Sequence, residues 1–211
     1  MADPTTTLTM GGIILLVGTS SVVATVITLC ASWAKDRWVE GKAAKFTALY
    51  IAIALEEYAR TTATILWESE SHSDTGGHAG TAHGHLAELP EYPEVNWQAF
   101  GIKNAEAAMT FRTDVGAQHT FMTGLWEVGD EDDAVLEFQE RAAKMGLAAL
   151  ALADQFRRDH SLTPLDQSGE WSTKNDLTRR HERFVARRIK FQEQQDASRV
   201  EMMAAGTAAV L

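Results

Sequence analysis

The stretch DEDDAVLEFQERAAKMGLAALALADQFRRDH, from Asp130 to His160, decides the fold class. Its apolar residues recur at alternating steps of three and four, and they are Val135, Phe138, Ala142, Met145, Ala149, Leu152 and Phe156. This spacing places them on one side of an α-helix, where they form a seam against partner helices. The acidic start of the stretch and the basic pair Arg157 and Arg158 near its end both suit the helix dipole.

Three further segments of the chain show the same helical period. They are Ala43–Trp67, Lys103–Trp126 and Asp176–Gln195. A connection rich in Gly and His at about 69–96 and a polar connection at 161–172 separate them, and no alternating strand pattern occurs. The sequence therefore predicts an all-α chain whose cytosolic domain, 35–200, resembles an antiparallel four-helix bundle. Because residues 46–55 are apolar throughout, we expect Ala43–Trp67 to be the central helix of that bundle.

The N-terminal stretch from Pro4 to Ala34 contains no Asp, Glu, Lys, Arg or His. The hydrocarbon core of a bilayer is about 30 Å thick, and about 20 apolar residues in a helix cross it. We therefore predict a single transmembrane helix at 9–34, preceded by a short extracytoplasmic segment at 1–8. A cleavable signal peptide is disfavoured, because no basic residue precedes the apolar core and the core is longer than such peptides have.

The flanks of this stretch predict its orientation. Four basic residues follow it, Lys35, Arg37, Lys42 and Lys45, and none precedes it. Basic residues remain on the cytosolic side of a membrane, so the N-terminus is predicted outside and the large domain in the cytosol. A single cysteine, Cys30, allows no intramolecular disulfide, which agrees with a cytosolic domain. The small, apolar residues 201–211 are predicted to be a flexible tail.

Small and hydroxylic residues recur along the predicted transmembrane helix at helical spacing. They are Gly11, Gly18, Ser21, Thr25, Thr28 and Ser32. Such a stripe lets helix backbones approach closely in lipid, which favours self-association or pairing with another membrane protein. The alternative is that Gly, Ser and Thr are simply common in spanning helices.

Histidines cluster in the connection at 69–96. They are His72, His78, His83 and His85, and several glycines lie among them. Imidazoles at short spacing bind zinc and other divalent transition metals, so a metal site here is one hypothesis. The alternative is a solvated tract that binds metal without a fixed geometry, since no cysteine contributes. No other cofactor is indicated.

Two further positions carry ionisable groups on apolar helix faces. Glu56 follows the apolar run and is predicted to be a buried carboxylate paired with Arg60, Arg112 or another base. A di-metal carboxylate site is excluded because the chain has no Glu-x-x-His motif. His119 is predicted to be a hydrogen-bonded core histidine, and the alternative is a pH-sensing or catalytic imidazole near Glu56 or Asp114.

The segment 174–190 contains seven basic residues and two acidic ones, in a chain of net charge −10. Its arginines are Arg179, Arg180, Arg183, Arg187 and Arg188. They are predicted either to form a solvated helix face that pairs with acidic elements or to contact an anionic lipid surface. Nucleic acid is not favoured, because the chain as a whole is acidic.

The familiar catalytic patterns are absent, including Gly-rich phosphate loops, Gly-x-Ser-x-Gly, His-Glu-x-x-His and Cys-x-x-Cys. The sequence therefore favours a membrane-anchored, cytosolic interaction or regulatory module over an enzyme. Its predicted partners are membrane lipid and either a second copy of the chain or another membrane protein. The alternatives are a metal sensor or metal-dependent enzyme that uses the histidine loop, and a membrane-active oligomer that forms a pore.

Overall fold

The computed structural model describes the backbone of residues 10–92, 94–167, 169 and 172–208, and it describes the side chains of this part between 39 and 199 except those of 131 and 132. Five α-helices lie in it: α1 Met10–Asp74, α2 Trp97–Phe100, α3 Ile102–Val128, α4 Glu131–Asp159 and α5 Thr173–Ala208. These residues contain no β-strand. The prediction of an all-α chain with a helical bundle is confirmed.

Helix α4 is the central helix of the bundle, because it contacts α1, α3 and α5. Its predicted seam is buried at Phe138, Ala142, Ala149 and Phe156. The expectation that Ala43–Trp67 would be central was wrong. Helix α1 lies at the side of α4 and leaves one face of its apolar run in solvent.

Gly146, in the middle of α4, allows two helices to pack closely on the same turn. A Cβ at this position would lie 2.9 Å from Leu177 Cδ1 of α5 and 3.3 Å from Thr62 Cγ2 of α1. Large side chains with less than 2 % of their surface exposed form the core of the bundle: Tyr58, Leu66, Phe100, Phe138, Phe156, Leu177 and Phe184.

Pairs of neighbouring residues on different helices show the direction of each helix relative to α4. For α1 they are Glu56–Arg157 and Ser69–Gln139, for α3 Asn104–His160 and Gln118–Arg141, and for α5 Leu177–Gly146 and Arg188–Glu140. Each of the three helices is therefore antiparallel to α4. It follows that α1 and α3 run in the same direction, which corrects the prediction of a fully antiparallel bundle.

The connection 75–96, called the strap below, makes this parallel arrangement possible. An extended chain of this length reaches about 70 Å, more than the length of the part of α1 that the bundle covers. Three contacts trace its path. His83 of the strap contacts Glu68 near the end of α1, and the Ala87 carbonyl accepts a hydrogen bond from His119 of α3. Further on, the Tyr92 hydroxyl donates to the Ala108 carbonyl of α3. Within the strap, Leu86 and Ala87 are buried. The strap therefore returns the chain along α3 to the level of residues 40–44 of α1.

Helix α1 is continuous from Met10 to Asp74. Residues 10–34 of the predicted transmembrane helix and the predicted helix Ala43–Trp67 are therefore parts of one helix, about 97 Å long at 1.5 Å per residue. The side chains of the stripe from Gly11 to Ser32 lie outside the described part, and so does the segment 1–8. Among the described residues, no helix has the length and apolarity that crossing a membrane requires.

The last helix is longer than the sequence predicted. Helix α5 ends at Ala208 instead of Gln195, so most of the predicted flexible tail at 201–211 is helical. Residues 196–205 contain no proline and are rich in Ala and Met, which have high helix propensity. Residues 209–211 lie outside the described part.

Candidate functional site

The four histidines of the predicted metal site do not form a ligand set. The His83 Nε2 atom lies 2.5 Å from Glu68 Oε2, so this imidazole pairs with a carboxylate of α1. His72 lies on the last turn of α1 and contacts the backbone turn at Gly77. Among the described residues, no three His, Cys, Asp or Glu side chains lie close enough together to hold a metal ion. His83 instead ties the strap to α1.

Glu56 is a buried carboxylate with a basic partner, and the partner is Arg157 of α4. The Nε and Nη2 atoms of Arg157 donate to the two carboxylate oxygens at 2.6 and 3.0 Å. The remaining Nη1 donates to the Thr163 carbonyl at 2.9 Å. The hydrogen bond to Glu56 raises the pKa of Arg157. This pair links α1 to α4, and each carboxylate oxygen of Glu56 accepts a hydrogen bond from Arg157.

Glu57, the next residue, points to solvent and pairs with Arg60 on its own helix. The two side chains are 51 % and 64 % exposed, so this pair is weak in free-energy terms. Adjacent carboxylates on one helix therefore have different roles. Glu56 connects helices, whereas Glu57 neutralises a neighbouring arginine on the surface.

His119 is a hydrogen-bonded histidine at the edge of the core. Its Nε2 donates to the Ala87 carbonyl of the strap at 3.1 Å. Neither of the acidic residues proposed as its neighbours, Glu56 and Asp114, makes a hydrogen bond or ion pair with it in the described contacts. The imidazole holds the strap on α3.

The arginines of α5 are engaged with acidic side chains of other helices. Arg180 is 8 % exposed and pairs with Glu70 of α1 and, at 2.9 Å, with Asp176. The guanidinium of Arg183 donates to the second oxygen of Glu70 at 2.9 Å. Burial lowers the pKa of Arg180, and the positive charge of Arg183 adds to this effect. Glu70 is thus a buried anion between two arginines.

Of the remaining arginines, Arg188 pairs with another helix, whereas Arg179 pairs within α5. Arg188 Nη1 lies 2.8 Å from Glu140 and 2.9 Å from Glu137 on α4. Arg179 pairs with Asp176 at 3.0 Å. The hydrogen bond to Glu140 raises the pKa of Arg188. These contacts support a basic helix face paired with acidic elements, because the charges join α5 to α1 and α4.

A cavity of about 440 Å³ lies between the ends of α3, α4 and α5. Its charged lining residues neutralise one another, since Arg141 Nε donates to Glu137 at 2.5 Å and Arg188 pairs with the same carboxylate. The Arg141 guanidinium lies 4.0 Å from the centre of the Phe121 ring. The described residues that line this cavity include no His, Cys, Ser or Thr, and of its carboxylates Glu137 is engaged with Arg141 and Arg188.

The surface feature with the clearest functional meaning is an apolar face on α1, which we call the α1 face. It consists of Val39, Phe46, Tyr50 and Ile53, whose side chains are 51, 61, 52 and 48 % exposed. Their spacing of seven, four and three residues places them on one side of the helix. Half-exposed large apolar side chains that adjoin one another mark contact surfaces more often than scattered ones do.

Sequence reasoning missed this face because it treated residues 46–55 as buried on every side. A signal was present nonetheless. Val39, Phe46 and Ile53 continue, at steps of seven, the line of Gly18, Thr25 and Ser32. Because α1 is one helix from Met10 to Asp74, the two sets share a register.

Comparison with protein-family models, with curated proteins and with solved structures finds no match to this chain.

Proposed function

We propose that this protein is a membrane-anchored helical interaction module. Residues 9–34 of α1 cross the bilayer with the N-terminus outside, and the bundle lies in the cytosol. The observation that carries the proposal is the continuity of α1, which joins the uncharged N-terminal stretch to the bundle without a break. A stiff helical connection would hold the bundle at a fixed height and orientation over the membrane.

The chemistry of the bundle supports interaction over catalysis. Its buried charged groups, Glu56 with Arg157 and Glu70 with Arg180 and Arg183, satisfy one another across helix contacts. Such pairs are structural links, since an unpaired buried charge would be strongly destabilising. The exposed apolar α1 face is the feature that requires a partner. A tethered domain meets membrane partners at high effective concentration, so even a modest contact area is sufficient.

Lipid contact by the α5 arginines is not part of this proposal. Arg180 and Arg183 pair with Glu70, and α1 rises about 50 Å between Lys35 and Glu70 if it stands upright on the membrane. An upright anchor therefore holds these arginines far outside the layer of lipid headgroups. Their acidic partners on α1 and α4 account for their position.

The test of the anchor is alkaline carbonate extraction of membranes that contain the full chain. We expect the wild-type protein in the membrane pellet. Leu16→Arg with Val23→Arg should move it to the supernatant, because each arginine at the centre of a spanning helix costs about 3 kcal/mol. Thr61→Arg with Thr64→Arg, on the exposed surface of α1, is the matched control and should remain in the pellet.

Protease added outside intact cells tests the orientation. We expect the bundle to resist digestion until the cells are lysed. Recovery of wild-type protein in the carbonate supernatant would contradict the anchor, and loss of the bundle in intact cells would contradict the orientation.

A further inference from the structure

We infer that the α1 face binds the α1 face of a second copy of this chain, with the two helices parallel. This inference rests on the proposed anchor, because two copies held in one membrane with the same orientation present their α1 helices side by side and in the same direction. The partner of the interaction module is therefore a second copy of the same protein.

The register of α1 supports a parallel pair. Gly18, Thr25, Ser32, Val39, Phe46 and Ile53 follow one another at steps of seven along a single helix. A straight helix would rotate such a line by about 20° for every seven residues, and a left-handed supercoil of two helices removes this drift. The same line can therefore face the same partner in the membrane and in the cytosol.

The charge pattern of the exposed side of α1 is compatible with an identical partner. In a parallel two-fold pair, each residue of the line lies opposite its own copy. From Phe46 to Ile53 the line carries no charge, so no like charges oppose each other there. The next residue of the line, Arg60, would lie opposite its own copy, and its ion pair with Glu57 on the same helix offsets this like charge.

The α1 face is too small to hold a dimer together without the membrane anchor. Four half-exposed side chains of this kind present about 100 Å² each, so a pair would bury about 800 Å² in total. Stable interfaces in solution bury about 1,200 Å² or more. The face alone is too small for a stable dimer, whereas a shared membrane supplies both extra helix contact and high effective concentration.

Disulfide cross-linking in native membranes tests the pairing residue by residue. In a Cys30→Ser background, Val39→Cys, Phe46→Cys and Ile53→Cys are each introduced into the full chain. All three positions are exposed, so the bundle is expected to fold. Mild oxidation should give a disulfide-linked dimer at each position, because a disulfide requires Cβ atoms about 4 Å apart.

Lys45→Cys and Thr61→Cys are the matched controls, since both positions are exposed on α1 but lie about a quarter turn away from the line. They should cross-link far less. Equal cross-linking at all five positions, or none at the three face positions, would overturn the inference.

A second variant pair tests the energetics. Phe46→Glu with Ile53→Glu places like charges opposite each other and should lower the dimerisation constant about tenfold, equivalent to about 1.4 kcal/mol. Lys45→Glu with Thr61→Glu should leave the dimer fraction unchanged. An unchanged dimer fraction in the variant with Phe46→Glu and Ile53→Glu would also overturn the inference.

The same membranes are scored for carbonate resistance, which separates the two proposals. If the protein stays in the pellet but the face cysteines do not cross-link, the pairing is wrong and the anchor stands. If the protein washes off, the anchor is wrong, and cross-links at the face positions would then show that the α1 face pairs without help from a membrane.

Discussion

His160, at the end of α4, couples the stability of the bundle to pH. Its Nε2 accepts a hydrogen bond from the Asn104 amide at 2.9 Å, and its ring stacks on Phe100 with the ring centres 5.3 Å apart. Burial lowers the pKa of His160, and the nearby Lys45 adds to this effect while Asp159 opposes it. A proton on Nε2 would also break the bond from Asn104. The folded protein therefore favours the neutral imidazole.

The sign of the pH dependence follows from this depressed pKa. At a pH between the folded and unfolded pKa values, unfolding takes up a proton, so the contribution of His160 is complete above about pH 6.5 and is lost as pH falls. We expect the urea midpoint of the wild type to drop between pH 7.5 and 5.5, and His160→Gln to show a smaller drop. His78→Gln, at an exposed position, is the control and should match the wild type. Equal drops in the wild type and His160→Gln would contradict this role.

At the scale of a structural element, the strap is held against the end of α1 by a close backbone approach at Gly80. This residue has φ of +76°, and a Cβ would lie 2.2 Å from the Glu68 carbonyl oxygen. Gly80→Ala should therefore lower the free energy of unfolding by about 1–3 kcal/mol and expose the strap to limited proteolysis.

Gly76→Ala provides the matched comparison for the strap. Gly76 also has a positive φ, of +60°, but nothing lies within 4 Å of a Cβ at this position. It should lose stability only through backbone strain and leave the strap protected. If the two variants were equally stable and equally resistant, the close approach at Gly80 would not be what holds the strap.

At the scale of the whole molecule, the continuity of α1 sets the distance between the N-terminal stretch and the bundle. A spin label on the native Cys30 and a second on Thr64→Cys should lie about 51 Å apart, with a narrow distribution, if the helix is unbroken at 1.5 Å per residue. The labelled protein is diluted with unlabelled protein, so that the measured distance is between two labels on the same chain.

The control for this distance is a pair confined to the bundle end of α1. Val39→Cys with Thr64→Cys, in a Cys30→Ser background, should give about 38 Å. A broad or much shorter distance from Cys30, together with the expected control distance, would show a hinge between residues 30 and 39. The proposed common register of the α1 face would then be lost.

The sequence by itself determined the helices. Helical period is a local property, so Asp130–His160 and Lys103–Trp126 could be assigned to within a few residues, and the seam of α4 was correct down to Phe138 and Phe156. The pairing of α5 arginines with acidic elements was also among the predictions, although the solvated face was wrong for Arg180, which is buried. The uncharged stretch from Pro4 to Ala34 remains a prediction from composition.

The tertiary structure decided which helix is central, which way α3 runs and which side of α1 remains in solvent. Periodicity shows that a side is apolar, but it does not show whether a partner covers it, because coverage depends on residues far away in the chain. The partner of Glu56 is Arg157, and that of Glu70 is Arg180, across separations of more than one hundred residues. The α1 face exists because α4 takes the centre of the bundle and the strap places α3 parallel to α1.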